Sequence, residues 1–399
     1  MEHEDSTGRR IREIRLWRGL ALRTVAELAG ISFSNLGKIE RGERPVNNRL
    51  VLEALATALR VTPSELTGRP WTLASAAQNQ PQAALVEVEA ALTEWWPGEA
   101  PDGAAARAWP EVLADLRLLI GKLRPSSDYA GQGELLPRLL RDLLIYAASD
   151  QHRTVALRGL MGAYHAAANV AARLGVQQLA YIGAERVSQV AQLLDEPEWL
   201  GVAAWTRAHF ISSISRDRQY RLAVAAAELP DARLESRGMS HLTAALAAAA
   251  RGDTSTAHTH LDEAARMAEL LDLDNSSWGD GTMNFGRANV GIWRVAIGVE
   301  AGDGAKVAED ADKVPWQAIT ISRQGAYWME LGRALLGERK TRDRGLAALL
   351  KAEELTPQQV QNNLFVRESI ASLLRQARRD AGGQELRRLA WRMGVAPNG

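Results

Sequence analysis

Between Gly8 and Leu66 apolar residues recur in short helical bursts, each opened by a capping side chain or closed by a glycine. Ile11, Ile14 and Leu16 lead through Trp17 to a breaker at Gly19, and Leu22, Val25, Ala26, Leu28 and Ala29 run to a second at Gly30. This three-to-four spacing predicts amphipathic helices. Ser32 stands at an N-cap position ahead of Phe33, Leu36 and Ile39, and that pattern ends at Arg41 and Gly42. Asn47 or Asn48 can cap a fourth helix carrying Leu50, Leu52, Leu55, Ala56 and Leu59, and Thr62-Pro63 opens a fifth ending at Gly68.

The remaining chain shows almost no strand alternation. Helical spacing runs through Leu135 to Ala148, Val155 to Leu174, Leu179 to Leu194, Leu242 to Ala250, Ala257 to Leu271 and Val290 to Val299. Breakers such as Leu174-Gly175, Glu196-Pro197, Gly252-Asp253, Gly302-Asp303 and Thr356-Pro357 suggest helices folded back in pairs. Pro70 and Pro81 sit among small and polar residues and read as a linker. The expected organisation is all-α: a five-helix head over residues 1–70, a linker over 71–82 and a helical-repeat body over 83–399.

Charge sharpens this division. The 399-residue chain balances 48 Lys and Arg against 48 Asp and Glu, yet residues 7–49 carry ten basic and four acidic side chains. A basic head on a mildly acidic body fits a DNA-binding module attached to something that does not bind DNA. The composition, 46% hydrophobic and 24% charged, is that of a globular protein. No run approaches the roughly 20 apolar residues of a bilayer span, and Met1 to Asp5 lacks a signal-peptide pattern, so a cytoplasmic location is expected. The absence of cysteine excludes disulfides, thiolate metal sites and a cysteine nucleophile.

Leu28-Ala29-Gly30-Ile31-Ser32, Ile39-Glu40-Arg41-Gly42, Leu55-Ala56 and Leu59 to Leu66 together resemble the helix-turn-helix domain of the Xre/Cro-repressor family. That resemblance implies that the helix from Phe33 to Glu40 enters the major groove of operator DNA. Phe33, Ser34 and Lys38 would then face base edges with Asn35 and Gly37 nearby. Lys38 suits guanine O6 or N7, Ser34 is donor or acceptor, and Phe33 suits a thymine methyl. Arg18, Arg23, Arg41, Arg44 and Arg49 are the phosphate-contact candidates. Arg15 and Glu40 match a pair that bridges the first and third helices and are expected to be structural. Ala21-Leu22 stands where the family usually has a polar cap and a phosphate-binding Gln.

The body resembles degenerate tetratricopeptide repeats, which stack into a curved solenoid. Met283 to Val290 is similar to a segment of actinobacterial regulators of this type that reads Phe-Gly-Pro-Thr-Asn-Val, with Arg287-Ala288 here replacing Pro-Thr. The architecture resembles peptide-pheromone-sensing regulators of Gram-positive bacteria. Phe285, Asn289 and Trp293 would share one face if Met283 to Val299 is helical, as would Trp205 with His209 and His165 with Asn169. These residues, with Arg287, are the effector-groove candidates; Tyr164, Arg186, Arg294, Tyr327 and Trp328 are secondary ones. Repeat packing is the plainer alternative for any of them.

Other chemistry finds little support. His258 and His260 point in different directions on a helix. Asp272 and Asp274 begin something like a calcium loop, but Ser277 and Met283 stand where its glycine and bidentate glutamate belong. No catalytic constellation, metal site or cofactor is expected. The leading expectation is a transcription regulator that binds double-stranded operator DNA as a homodimer and senses a peptide, small molecule or protein partner. An interaction scaffold with a degenerate head is the alternative.

Overall fold

The computed structural model describes residues 6–68, 76–101, 105–149, 151–211, 215–276, 278–279, 283–377 and 383–395. The chain is all-α. Its head contains α1 (Thr7–Trp17), α2 (Leu22–Leu28), α3 (Phe33–Glu40), α4 (Arg49–Leu59) and α5 (Pro63–Thr67). Caps fix several of these starts: Ser32 accepts from the Asn35 N–H, Asn48 from the Val51 N–H, and Thr62 and Glu65 form a reciprocal capping box. Ile11, Val25, Leu36, Leu55, Leu59 and Leu66 fill the head core.

The body begins with α6 (Ala76–Thr93), α7 (Trp109–Leu118), α8 (Tyr129–Ala147), α9 (Arg153–Leu174), α10 (Gln177–Leu194) and α11 (Pro197–Phe210). It continues through α12 (Arg216–Ala227), α13 (Leu234–Ala249), α14 (Thr254–Leu271), α15 (Arg287–Ala301), α16 (Val307–Ala311) and α17 (Ile321–Leu336). The last helices are α18 (Arg342–Leu355), α19 (Pro357–Gln361), α20 (Leu364–Ala377) and α21 (Gln384–Arg392). From α8 to α14 each helix packs on the next, and α15 to α17 and α18 extend the array. Alanine permits the close spacing: Ala163, Ala166, Ala167 and Ala171 of α9 are buried, as are Ala180 and Ala184 of the adjacent α10.

Three expectations require correction. The linker reading of 71–82 fails over its second half, because α6 starts at Ala76 and includes Pro81. Pro81 lacks the N–H that would bond the Ala77 carbonyl, a loss in the second turn that burial of Leu85, Val88 and Leu92 offsets. Residues 71–75 lie outside the described residues. The helix expected from Met283 begins instead at Arg287, after Gly286 at a φ of 153°. Finally, head and body are not separate in packing: Leu364 and Phe365 of α20 complete the head's own core.

Polar contacts tie the same surfaces. Thr7 donates to Glu368, Arg375 to the Gly42 carbonyl and Arg333 to the Asn47 carbonyl, while Arg216 pairs with Glu53 at 2.6 Å. Among the described residues no helix is long and apolar enough to cross a membrane, and no three His, Asp or Glu side chains are placed to hold a metal.

Candidate DNA-reading helix and body cavity

On α3 the sequence alternates between core and solvent as a helix demands. Leu36, Gly37 and Ile39 are buried; Phe33, Ser34 and Lys38 are exposed, and Asn35 is half-buried. The free face therefore offers an aromatic ring, a hydroxyl and an ammonium group to solvent. Arg18, Arg23, Arg41 and Arg44 are also exposed. Arg18 donates to the Arg60 carbonyl at 3.1 Å, and Arg41 forks onto Glu43 at 2.7 and 3.1 Å. Helix α2 starts at Leu22 behind Ala21, which offers no side-chain cap.

Arg15 on α1 holds both oxygens of Glu40 on α3, at 2.6 and 2.8 Å, with its third contact to the Leu20 carbonyl at 3.0 Å. This bidentate pair is mostly buried, at 11% and 6% side-chain exposure, and braces the two helices. Arg49 requires a correction. Its guanidinium faces the body and pairs with Glu300 at 2.6 Å, so the phosphate role assigned to it conflicts with its position.

The body encloses a cavity of about 130 Å³. Its walls come from distant stretches: His165, Asn169 and Arg173 of α9, Trp205 and His209 of α11, Asn289 and Trp293 of α15, and Arg323 of α17. Arg124, Ser127 and Tyr129 close one side and Gln359 another. A second cavity of about 320 Å³ adjoins it, shares Asn169, Arg173, His209, Trp293 and Arg323, and reaches Arg49, Leu52 and Glu53 of the head.

Aromatic rings form a continuous wall. His165 and His209 each stack on Trp205 with centroids 5.4 Å apart, and His209 meets Trp293 edge-on at 6.0 Å. Trp205 donates to Thr243 at 3.1 Å. Burial, then the charges of Arg124 and His209, keeps His165 well below its ordinary pKa. His209 is pushed down to about 3 by burial first and then by Arg173 and Arg323. Both rings are therefore neutral near pH 7.

Six of the eight principal groove candidates thus meet at one cavity: His165, Asn169, Trp205, His209, Asn289 and Trp293. Phe285 does not. It precedes α15, is fully buried, and its ring occupies the space that a Cβ at Gly238 would need. Arg287 is likewise misplaced, because it turns outward onto Asp272 and Asp274 at 3.0 Å each. That contact also occupies the two aspartates of the calcium-like stretch. Asn289 reaches the cavity, but its amide donates to the Asn284 carbonyl and to Met239, and its oxygen accepts from Arg323 at 2.9 Å. Its expected pairing with a peptide bond is replaced by positioning of Arg323.

Tyr164, Arg186, Arg294, Tyr327 and Trp328 line neither of the two joined cavities. The residues missed by sequence reasoning are chiefly the arginines, Arg124, Arg173 and Arg323. Arg173 continues the His165, Asn169 face by another four residues and could have been found from that spacing. Arg124 and Arg323 carry no such local signal.

Residues 7–67 match a family described as a helix-turn-helix domain. No curated protein sequence matches the chain. Among solved structures the chain is similar to Bacillus thuringiensis PlcR in complex with the peptide PapR7 and DNA, at 14% identity and a TM-score of 0.24, covering 67% of this chain and 96% of that one. It is also similar to ComR from S. thermophilus in complex with DNA and its signalling peptide ComS, at 13% identity and 0.21, covering 87% and 99%. Apo ComR from Streptococcus vestibularis gives 12% identity and 0.21, covering 88% and 98%.

Proposed function

We propose that this chain is a sequence-specific DNA-binding transcription regulator, with α3 as its base-reading helix and the body cavity as an effector site. The observation that carries this reading is the free face of α3 within a basic head whose residues 7–67 fit a helix-turn-helix family. Lys38 reaches guanine acceptors, Ser34 either kind of base edge and Phe33 a thymine methyl. Exposed Arg18, Arg23, Arg41 and Arg44 supply phosphate contacts that hold register without reading sequence. Two heads of a homodimer would occupy half-sites about one helical turn apart.

The body contributes a link from cavity to head. Helix α15 places Asn289 and Trp293 in the cavity wall and, about 10 Å further along its axis, Glu300 against Arg49. An effector that binds one placement of α15 more tightly than another shifts the head with it.

The missing side-chain cap at Ala21 favours a second reading, a helical scaffold whose head no longer discriminates sequences. Selection from random duplex DNA by the full chain, repeated at two salt concentrations, separates the two. The regulator enriches one motif, and its affinity falls with salt at roughly −0.9 per neutralised phosphate on logarithmic axes. Salt-dependent retention with no enriched motif supports the scaffold.

A further inference from the structure

Helix α17 carries two inward arginines with opposite surroundings. Arg333 is neutralised by Glu330 and by Glu300, the latter at 3.4 Å. Arg323 instead donates to the neutral oxygen of Asn289 at 2.9 Å and lies 5.9 Å over the Trp293 ring. Among the described residues no carboxylate pairs with Arg323 and none lines the smaller cavity; Glu53 and Glu330 line the adjoining one, each beside an arginine partner of its own, Arg216 and Arg333. Burial first, and then the charge of Arg173, lowers the Arg323 pKa to about 10, which leaves it cationic at pH 7.

The uncharged groups lining the cavity continue this bias. Arg124 lies 3.0 Å from His165 Nδ1, and because a guanidinium can only donate, Nδ1 of the neutral ring accepts and its hydrogen resides on Nε2. Among the described residues Nε2 has no hydrogen-bond partner, although His165 is only 6% exposed. The Trp293 indole N–H likewise finds no acceptor among them, at 7% exposure. A buried donor without an acceptor is costly, and two of them on one cavity beside an arginine call for an acceptor-rich occupant.

We propose that the cavity binds its effector through an oxyanion, a carboxylate or a phosphate, held by Arg323 and by the N–H groups of His165 and Trp293. This deepens the effector-site reading and rests on it. The Trp205 and Trp293 rings flank the remainder of the ligand. About 130 Å³ suits the oxyanion with a few attached atoms, and the adjoining 320 Å³ accommodates the remainder of the ligand. A neutral amide offers a single uncharged acceptor oxygen where a carboxylate or phosphate offers two or more charged ones, so it matches these donors less well.

Calorimetric titration of the full chain with hippurate, phenyl phosphate and the neutral probe hippuramide tests this chemistry. At least one anion should bind saturably, one per chain, and hippuramide should bind at least roughly tenfold more weakly than hippurate or not at all. The tighter of the two anions identifies the oxyanion. Arg323→Gln should weaken the anion by roughly tenfold to a hundredfold, Arg323→Lys should restore part of that loss, and melting curves verify that both variants fold. If either melts below the working temperature, Trp293→Phe, which removes the indole N–H and keeps an aromatic ring, replaces it with the same expected direction. Hippuramide equal to hippurate, no anion binding at millimolar concentration, or unchanged anion affinity in a folded Arg323→Gln variant overturns the proposal. Operator binding measured in parallel keeps the outcomes apart: intact DNA binding with no anion binding removes this inference alone, and absent DNA binding removes the regulator reading.

Discussion

The carboxylate of Glu300 in the body accepts from both the backbone N–H of Arg49, at 2.8 Å, and its guanidinium, at 2.6 Å, in the head. Arg333 approaches the same carboxylate at 3.4 Å, and both arginines lie over the Phe365 ring, at 5.5 and 4.6 Å. Burial alone would raise the Glu300 pKa; Arg49 and Arg333 more than offset it and hold the group below its ordinary value. A depressed carboxyl stabilises the fold above its unfolded pKa, and that contribution is lost as pH falls through the folded one.

Glu300→Gln should therefore be strongly destabilising near neutral pH. It leaves two arginines facing an uncharged amide at a site with no side-chain exposure, and breaking such a pair typically costs about 3–5 kcal/mol. Urea unfolding of wild type and variant at pH 7 measures it. A variant as stable as wild type would show that the Glu300 ion pairs contribute nothing to the fold.

Within the head, Arg15→Ala and Lys38→Ala should separate cleanly. Arg15→Ala strands the mostly buried Glu40 and should cost about 2 kcal/mol of stability while leaving base preference unchanged. Lys38→Ala and Ser34→Ala remove exposed side chains, so melting should hold while discrimination at one base position relaxes by about 1–3 kcal/mol. Thermal melts with competition binding on single-base operator variants distinguish the roles; the reverse pattern would exchange them.

Lowering pH should weaken the body through its neutral histidines. A His with a depressed folded pKa is uncharged in the native state but protonates in the unfolded chain below about pH 6.5, so stability is full above that value and declines beneath it. Each of His165 and His209 contributes a slope of up to about 1.4 kcal/mol per pH unit. Comparing wild type with His165→Gln by chemical denaturation at pH 7 and 5.5 isolates the effect. Parallel losses in the two proteins would mean that His165 is not held neutral by its surroundings.

Asn289→Ala should act through Arg323, because the Asn289 oxygen accepts from that guanidinium and its amide is committed to protein partners. Anion affinity should fall by roughly 5- to 150-fold, with unchanged operator affinity in the absence of ligand. Calorimetry with hippurate or phenyl phosphate, whichever binds wild type, reads the first effect. Unaltered anion affinity would return Asn289 to a purely packing role.

The features legible in the sequence were those written locally. Caps at Ser32, Asn48 and Thr62 and the spacing of Leu36 with Ile39 outline the head helices. Pairs four residues apart, such as Trp205 with His209, show their shared face before any tertiary contact is known. Phe285 departs from the expected face because its four-residue interval to Asn289 preserves helical spacing while the backbone leaves the helix at Gly286. Arg49 was misread because its partner Glu300 lies far along the chain, and nothing near Arg49 announces a docking surface. Arg323 was missed for the same reason: its setting comes from α9, α11 and α15, and no spacing on α17 encodes it.

Operator affinity of the full chain, with and without a saturating concentration of the anion that calorimetry shows to bind, tests the linked head and cavity most directly. The account predicts a change in operator affinity for wild type that disappears in Arg323→Gln, and an equal reciprocal change in anion affinity when operator is added. Identical operator affinity in the presence and absence of a bound anion would contradict it.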